Sequence, residues 1–160
     1  MLIANIIINL DILIKINEFK INDVFLINIY NDGICISQNI NDLSNLSIFI
    51  SKDKLNVFEV NEECSFVADD ILSIKNVKIT RLYNKCLINN NLSIVNSCCN
   101  VCKEFKNLKF KDTNNLNFNL DNKLKFFKNY KFATSNNFNG VVLITKIDFL
   151  TMYVNLLYNE

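Results

Sequence analysis

The stretch VFLINIYNDGICI, residues 24–36, decides the fold class of this chain. Its first part, Val24 to Tyr30, is rich in the β-branched and aromatic residues that favour strands. The tripeptide Asn31-Asp32-Gly33 follows, in which Gly33 can adopt a positive φ angle and close a turn, and Ile34 to Ile36 then run back. The stretch therefore predicts a β-hairpin.

Similar segments extend the pattern along the chain. Leu46 to Ile50 and Leu55 to Val60 flank the charged tip Ser51-Lys52-Asp53-Lys54 and predict a second hairpin. Val77 to Tyr83 alternates apolar and polar residues, which predicts another strand. Leu87 to Val95 contains three consecutive asparagines, and it is either one strand with a bulge or two short strands across a turn.

The two ends of the chain give different predictions. Leu2 to Ile16 is either a core strand or an arm that binds a partner. Near the other end, Gly140 opens a strand from Val141 to Ile147, and Asp148 stands where a helix N-cap belongs. The apolar residues beyond it recur at the spacing of one helical face and predict a short C-terminal helix: Phe149, Met152, Tyr153, Leu156 and Leu157.

Many short strands with one terminal helix predict a mainly β fold, a small barrel-sandwich with a short C-terminal helix, in a single domain over residues 1–160. Asp112 to Phe138 is rich in Asn and Lys and is expected to form short strands joined by loops. No segment approaches the roughly 20 apolar residues that a membrane-spanning helix needs, and the start lacks the features of a signal peptide. We therefore expect a cytoplasmic protein without a membrane partner.

The composition excludes several classes of active site. There is no His, which rules out Ser-His-Asp and Cys-His dyads, and two isolated glycines rule out a glycine-rich phosphate loop. The carboxylates of Glu62-Glu63 and of Asp69-Asp70 diverge in either a helix or a strand, so they make poor acid–base pairs. We expect a protein that is not an enzyme and that uses no cofactor and no small-molecule substrate.

Six cysteines are expected as free thiols, because the chain is expected in a reducing compartment. Cys99 and Cys102 have the C-x-x-C spacing of half a zinc site, Cys98 adds a third thiol, and Cys86 is a weak candidate for the fourth ligand. No second C-x-x-C pair exists, so packed, reduced thiols are favoured over a metal site.

Charge is divided unevenly along the chain. Residues 1–80 hold 6 Lys and 11 acidic residues, whereas residues 81–160 hold 10 Lys, one Arg and 5 acidic residues. Between residues 103 and 131, lysines interleave with aromatic residues, a combination that favours phosphate neutralisation and base stacking on RNA. The predicted RNA contacts are Lys103, Lys106, Lys109, Lys111, Lys123, Lys125, Lys128 and Lys131. Alternatively, the alternating Phe and Lys residues only mark the two faces of a strand.

Three segments resemble the eukaryotic Simiate family, the actin-binding transcription modulators. Phe25 to Ile36 is similar to the early hairpin of that family, Ile94 to Cys99 to its central Val-Ser-Ser-Cys strand, and Asn139 to Ile144 to its late glycine-led strand. The chain departs from the family at Val101, where a glycine is usual, and over Asn107 to Leu120. The resemblance implies a barrel-sandwich like that of the glycine-cleavage H-protein, without the modified lysine.

Within that family, the AT-biased and proline-free sequence is most similar to a microsporidian dormancy factor. The resemblance implies a ribosome hibernation factor that occupies the tRNA exit (E) site, blocks translation and contacts rRNA and ribosomal proteins there. The alternative is a non-enzymatic protein-interaction module of the Simiate type, cytosolic or nuclear, with no ribosome binding.

A second resemblance concerns another class of protein. Asp32-Gly33-Ile34 followed by the predicted Leu46 to Val60 hairpin is similar to a repeat of DNA sliding clamps. The 160 residues are fewer than the usual multi-domain subunit of such a ring contains.

Overall fold

The computed structural model describes residues 1–39 and 45–98, together with the backbone of four later strands. In chain order the elements are β1 (Leu2–Ile7), α1 (Leu10–Asn17), β2 (Phe25–Tyr30), β3 (Gly33–Asn39), β4 (Asn45–Ser51), a 3₁₀ helix (Lys52–Lys54), β5 (Val57–Val60), β6 (Cys64–Ala68), a second 3₁₀ helix (Ile71–Lys75), β7 (Asn76–Leu82), β8 (Lys85–Ile88), β9 (Asn91–Ser93), β10 (Phe110–Asp112), β11 (Ala133–Ser135), β12 (Gly140–Ile147) and β13 (Leu150–Leu157).

The described strands form two sheets with antiparallel pairing throughout. One sheet has the order β5-β1-β7-β8-β9, and the other has the order β10-β11-β12-β13-β4-β3-β2-β6. Neither sheet closes on itself in the described strands, so the mainly β prediction is confirmed in the form of an open sandwich. No helix in the described residues is long and apolar enough to cross a membrane.

Isoleucine side chains fill the core between the two layers. Ile3 and Ile6 of β1 and Val77 and Ile79 of β7 face the apolar residues of β2, β3 and β4. Alternate residues of β2 to β4 point the other way, yet most of them are also buried, among them Asn28, Tyr30, Cys35, Ser47 and Phe49. A strand that is buried on both faces needs a nearly continuous apolar run, which is what residues 24–36 show.

The first predicted hairpin is confirmed, but Gly33 has a different role from the expected one. Tyr30 pairs with Gly33, so the turn is Asn31-Asp32, and Gly33 is the first strand residue, without a positive φ angle. A Cβ atom at Gly33 would overlap the carbonyl oxygen of Ile50 and lie 2.6 Å from Cζ of Phe49. Glycine is therefore required here by the close approach of β4 and not by the turn.

The second predicted hairpin is wrong. The charged tip is present as the 3₁₀ helix Lys52–Lys54, but β4 pairs with β3 and β13, whereas β5 pairs with β1 in the other sheet. The segment is thus a crossover between the two layers. Local residue patterns cannot distinguish this crossover from a hairpin, because both require two strands and a polar connection.

The N-terminal segment forms a core strand, β1, which is followed by the α-helix α1. β1 lies between β5 and β7, and α1 begins after Asn9, whose side chain accepts a hydrogen bond from the backbone N–H of Asp11 at 2.8 Å. Ile12, Leu13 and Ile16 of α1 are buried in the core cluster. Of the two alternatives for Leu2 to Ile16, the structure shows the core strand and not the partner-binding arm.

The predicted C-terminal helix is also wrong. Residues 150–157 form β13, which pairs with β12, with Leu150 opposite Ile147, and with β4 on its other side. The sequence of this segment also fits a strand, since β-branched and aromatic residues are frequent in it. Pairing with the edge of β4 adds backbone hydrogen bonds that a helix in this place would not make with β4. Tertiary pairing overrides an apparent helical period in a segment of this length.

Two further predictions have clear outcomes. The strand opened by Gly140 is confirmed as β12, and Leu87 to Val95 proves to be two short strands, β8 and β9, across the turn Asn89-Asn90. Within Asp112 to Phe138, β11 is a short strand, as expected. The remaining residues of that region lie outside the described ranges.

The substitution Gly33→Ala should destabilise the protein by about 1–3 kcal/mol, because the new methyl group would force apart β3 and β4. Urea unfolding followed by circular dichroism measures this. The control Asn39→Ala changes an exposed residue of the same strand and should stay within about 0.5 kcal/mol of wild type. Equal stability of the two variants would contradict the close-approach argument.

Gln38 is a buried side chain that holds the segment after α1. Its Oε1 accepts from the backbone N–H groups of Ile21 at 2.8 Å and Asn22 at 3.2 Å, and its Nε2 donates to the carbonyl of Phe19 at 3.2 Å. Gln38→Met keeps the size of the side chain and removes all three bonds. We expect a loss of about 1–3 kcal/mol and faster hydrogen exchange at the amides of Ile21 and Asn22. Unchanged exchange at both amides would refute this role.

Candidate interaction face

The eight lysines predicted to bind RNA fall almost entirely beyond the described residues. Lys111 lies on β10, where its backbone pairs with Thr134 at the end of the eight-stranded sheet. The others lie outside the described ranges, and their role stays a prediction: Lys103, Lys106, Lys109, Lys123, Lys125, Lys128 and Lys131.

The candidate zinc ligands are only partly described. Cys86 lies on β8 and Cys98 follows the bridge that joins Ser65 to Asn96, while Cys99 and Cys102 lie outside the described residues. Within the described ranges, no three Cys, Asp or Glu side chains come together in a way that could hold a metal ion. Cys86 and Cys98 therefore do not build a site with their described neighbours.

The thiols themselves differ in their surroundings. Cys64, Cys86 and Cys98 are free, whereas Cys35 is disulfide-bonded, so the prediction of six free thiols is wrong for Cys35. The Sγ atom of Cys98 lies 2.7 Å from the carbonyl oxygen of Cys64 and 2.9 Å from that of Ile29. Burial, followed by the nearby Cys98, raises the pKa of the Cys64 thiol to about 12. The Cys64 thiol therefore acts in packing and not as a nucleophile at neutral pH.

The five-stranded sheet exposes the face that points away from the core. On β7, Val77 and Ile79 point inward and Asn76, Lys78 and Thr80 alternate outward. Cross-strand neighbours share a face, which places Asn5 beside Lys78 and Leu87 beside Thr80. We call this surface the outer face; its residues are Asn5, Ile7, Val57, Glu59, Asn76, Lys78, Thr80, Leu82, Lys85, Leu87 and Leu92.

A polar groove occupies one half of the outer face. It is an open cavity of about 480 Å³ lined by Asn5, Ile7, Asn76, Lys78, Thr80, Asn89 and Asn90. Amides and a hydroxyl offer both donors and acceptors, and the ammonium group of Lys78 supplies a positive charge. The groove is thus able to bind polar and anionic groups.

Asn89 fixes the wall of this groove. Its Oδ1 accepts from the backbone N–H of Lys78 at 2.9 Å, and its Nδ2 donates to the carbonyl of Asn76 at 2.8 Å. Both Asn89 and Asn90 have positive φ angles, 51° and 68°, as a two-residue hairpin turn of type I′ requires. Asparagine tolerates this conformation, so the turn is held against β7 without glycine.

An aliphatic patch occupies the other half of the outer face. Leu82 is 59% exposed, Leu92 is 69% exposed, and Ile94, just beyond β9, is 82% exposed. Leu87 lies between Thr80 and Leu92 in the register and is half-buried. Tyr83, at the tip between β7 and β8, is 90% exposed with a φ angle of 59°. Neighbouring exposed aliphatic residues of this kind mark interaction surfaces.

One ion pair involves Arg81 of β7, which alternates with the outward-pointing residues Thr80 and Leu82. Arg81 donates two hydrogen bonds of 2.9 Å to the carboxylate oxygens of Glu62. This bidentate contact lowers the pKa of Glu62 and raises that of Arg81. The arginine is therefore engaged, and the cations available on the outer face are Lys78 and Lys85.

The outer face was not predicted from the sequence. The alternation of Val77 and Ile79 with Lys78 and Thr80 was the available signal, since it places Leu82 in the outward phase beside polar residues. The contribution of Asn5 and Asn89 could not be found in this way, because strand order brings them to β7 from distant parts of the chain.

Comparison with solved structures finds a similar chain in a complex described as "C-terminal region of FEN-1 bound to A. fulgidus PCNA". The TM-score is 0.52, the sequence identity is 10%, and the alignment covers 99% of this chain and 99% of that chain. At this identity the likeness shows the fold alone. No family model matches the chain, and no curated protein matches it.

The thiols should differ in reactivity towards iodoacetamide at pH 8. A pKa of about 12 leaves about one Cys64 thiol in 10⁴ as thiolate, so Cys64 should resist alkylation in the folded protein. Cys86, which is partly exposed, serves as the internal comparison. Mass spectrometry of the peptides measures both, and 6 M urea should expose Cys64. Alkylation of folded Cys64 as fast as of Cys86 would refute its burial.

Proposed function

We propose that this chain is a non-enzymatic binding module of the sliding-clamp type, which assembles around duplex DNA and holds partner proteins there. The observation that carries the proposal is the fold itself, a two-sheet body that aligns over 99% of its length with a chain of the PCNA complex. The resemblance of Asp32-Gly33-Ile34 to a sliding-clamp repeat supports the same conclusion. The Leu46 to Val60 part of that resemblance does not, because β4 and β5 do not form the expected hairpin.

The open ends of the sheets support assembly from several copies. In the described strands, the five-stranded sheet ends at β5 and β9, and the eight-stranded sheet ends at β10 and at β6, where Ser65 pairs with Asn96. Open edges carry unpaired backbone groups that can pair with another chain. Pairing between different edges of successive copies is heterologous, and it closes into a ring when the rotation allows.

A complex with a protein segment is the second element of the proposal. The similar structure is a complex in which the C-terminal region of FEN-1 is bound to PCNA. We transfer to this chain only the general property of binding a segment of another protein. The absence of His from the sequence, and with it of histidine-based nucleophilic catalysis, is compatible with a role in binding.

Topological retention on DNA tests this function. The purified full chain is incubated with nicked circular duplex DNA and washed at 1 M NaCl, which removes contacts that depend on phosphate charge. A closed ring should stay on the circle and should be released when a restriction enzyme linearises it. Mixing with DNA that is already linear is the matched control. Equal loss from circular and linear DNA at high salt would refute the clamp function.

The ribosome remains a second candidate partner because of the charge asymmetry. Residues 81–160 carry an excess of positive charge, and the lysines from Lys103 to Lys131 would contact rRNA phosphates near the exit site. In this alternative the protein is a cytoplasmic hibernation factor that competes with deacylated tRNA.

Cosedimentation distinguishes the two candidates. A hibernation factor should sediment with ribosomes at low salt, dissociate as the salt concentration rises, and be released by excess deacylated tRNA. Aminoacylated tRNA at the same concentration is the control for nonspecific competition. Absence from ribosomal fractions at low salt would exclude this candidate, whatever the result with circular DNA.

A further inference from the structure

We infer that the outer face of the five-stranded sheet is a docking surface for a short, extended protein segment that combines aliphatic side chains with a carboxylate. This inference rests on the second element of the proposed function, the binding of a protein segment, and not on a ring around DNA, because it concerns the surface of a single chain. It rests on the exposure of the aliphatic patch, on the adjoining polar groove and on the charge of the face.

The aliphatic patch defines the first half of the partner. Leu82 and Leu92 are more than half exposed although they lie in regular strands. Leu87 lies between them on β8: it is opposite Leu92 on one side and opposite Thr80 on the other, while its strand neighbour Lys85 is opposite Leu82. An apolar partner side chain that covered them would remove this surface from water at about 25 cal/mol for each Å² buried. The ligand therefore needs branched aliphatic residues at the positions that lie on the patch.

The charge of the outer face defines the second requirement on the partner segment, which is a carboxylate. Lys78 and Lys85 are exposed and form no ion pair with a described residue, while Arg81 is occupied by Glu62. Glu59 is an acidic residue of the same face, and Asn5 separates it from Lys78 in the strand order. A carboxylate in the partner would meet Lys78 in the groove, where the amides of Asn5 and Asn76 offer further donors. The face thus favours an acidic segment over a basic one.

The geometry sets the length of that segment. Lys78 and Leu82 are four residues apart on β7, which corresponds to about 13 Å along a strand. An extended peptide spans the same distance in about four residues, so its carboxylate and its aliphatic residue should be separated by about that number. β9 pairs only with β8 among the described strands, and its open edge offers backbone hydrogen bonds next to the patch.

The test uses a fluorescein-labelled serine decapeptide that carries one glutamate and, four and six residues after it, two leucines, so that all three side chains lie on one face of the extended peptide. Its anisotropy is measured with the full chain. We expect saturable binding with a Kd on the order of 10⁻⁵ M. The same decapeptide with lysine in place of glutamate is the charge control, and the one with serine in place of both leucines is the apolar control; each should bind at least about tenfold more weakly. Equal binding of the peptide with lysine in place of glutamate would overturn the inference, as would no binding of the first peptide at 1 mM.

Variants locate the site on the face. Leu92→Lys should weaken binding about tenfold or more, and Lys78→Glu about fivefold or more. Val67→Lys, an exposed residue of the other sheet, and Lys52→Glu, on the first 3₁₀ helix, are the matched controls and should bind as wild type. All four substitutions are at exposed positions, and circular dichroism checks that each variant is folded. Binding that Leu92→Lys and Lys78→Glu leave unchanged would overturn the inference.

Two further measurements separate the other possible occupants. Amide shift changes in the wild-type protein should cluster at Lys78, Thr80, Leu87 and Leu92 when the peptide is added. Sedimentation velocity without the peptide shows whether the chain associates with itself. Self-association that Leu92→Lys abolishes would assign the face to a second copy and overturn the inference of a partner segment.

Discussion

Burial of isoleucine between two sheets is the interaction on which the rest of this structure depends. Within the described residues, 14 of the 22 members of the core cluster are isoleucine, and they come from strands of both layers, from α1 and from the second 3₁₀ helix. A β-branched side chain restricts its own rotamers and favours an extended backbone. The same residue type thus stabilises the strands locally and supplies the apolar area that holds the layers together. The face of the five-stranded sheet that is turned away from this core is exposed.

The parts of the fold that could be predicted are those that depend on the residues of a single segment and not on which strands pair. The hairpin β2–β3, the strands β7 and β12, and the mainly β class depend on residue types within single segments, and they are confirmed. The hairpin expected from Leu46 to Val60 and the C-terminal helix failed because they depend on which strand pairs with which. The long pairing of β13 with β12 and β4 decides its conformation, and no window of the sequence contains that information. Gly33 shows the same limit, since its need for glycine comes from β4 and not from its own turn.

The candidate site is less predictable than the fold for a related reason. The lysine-rich region from Lys103 to Lys131 can be recognised as a candidate site because its charge is contiguous in sequence. The groove cannot, because it brings together Asn5, Lys78 and Asn89 from three separate segments. Outward-facing leucines such as Leu82 and Leu92 resemble core residues when only composition is considered. Only the register of β7, β8 and β9 reveals that they share an exposed face.

The hydrogen bonds of Asn89 have a consequence for the chemical ageing of this protein. Its sequence contains 30 asparagines, each of which can deamidate when the following backbone nitrogen attacks the side-chain carbonyl carbon. At Asn89 both atoms of the side-chain amide are bound to β7, so the group is not free to rotate towards that nitrogen. A turn that an asparagine supports in place of glycine is thereby also protected from hydrolysis, and the groove should keep its shape during long storage while exposed asparagines elsewhere slowly acquire negative charge.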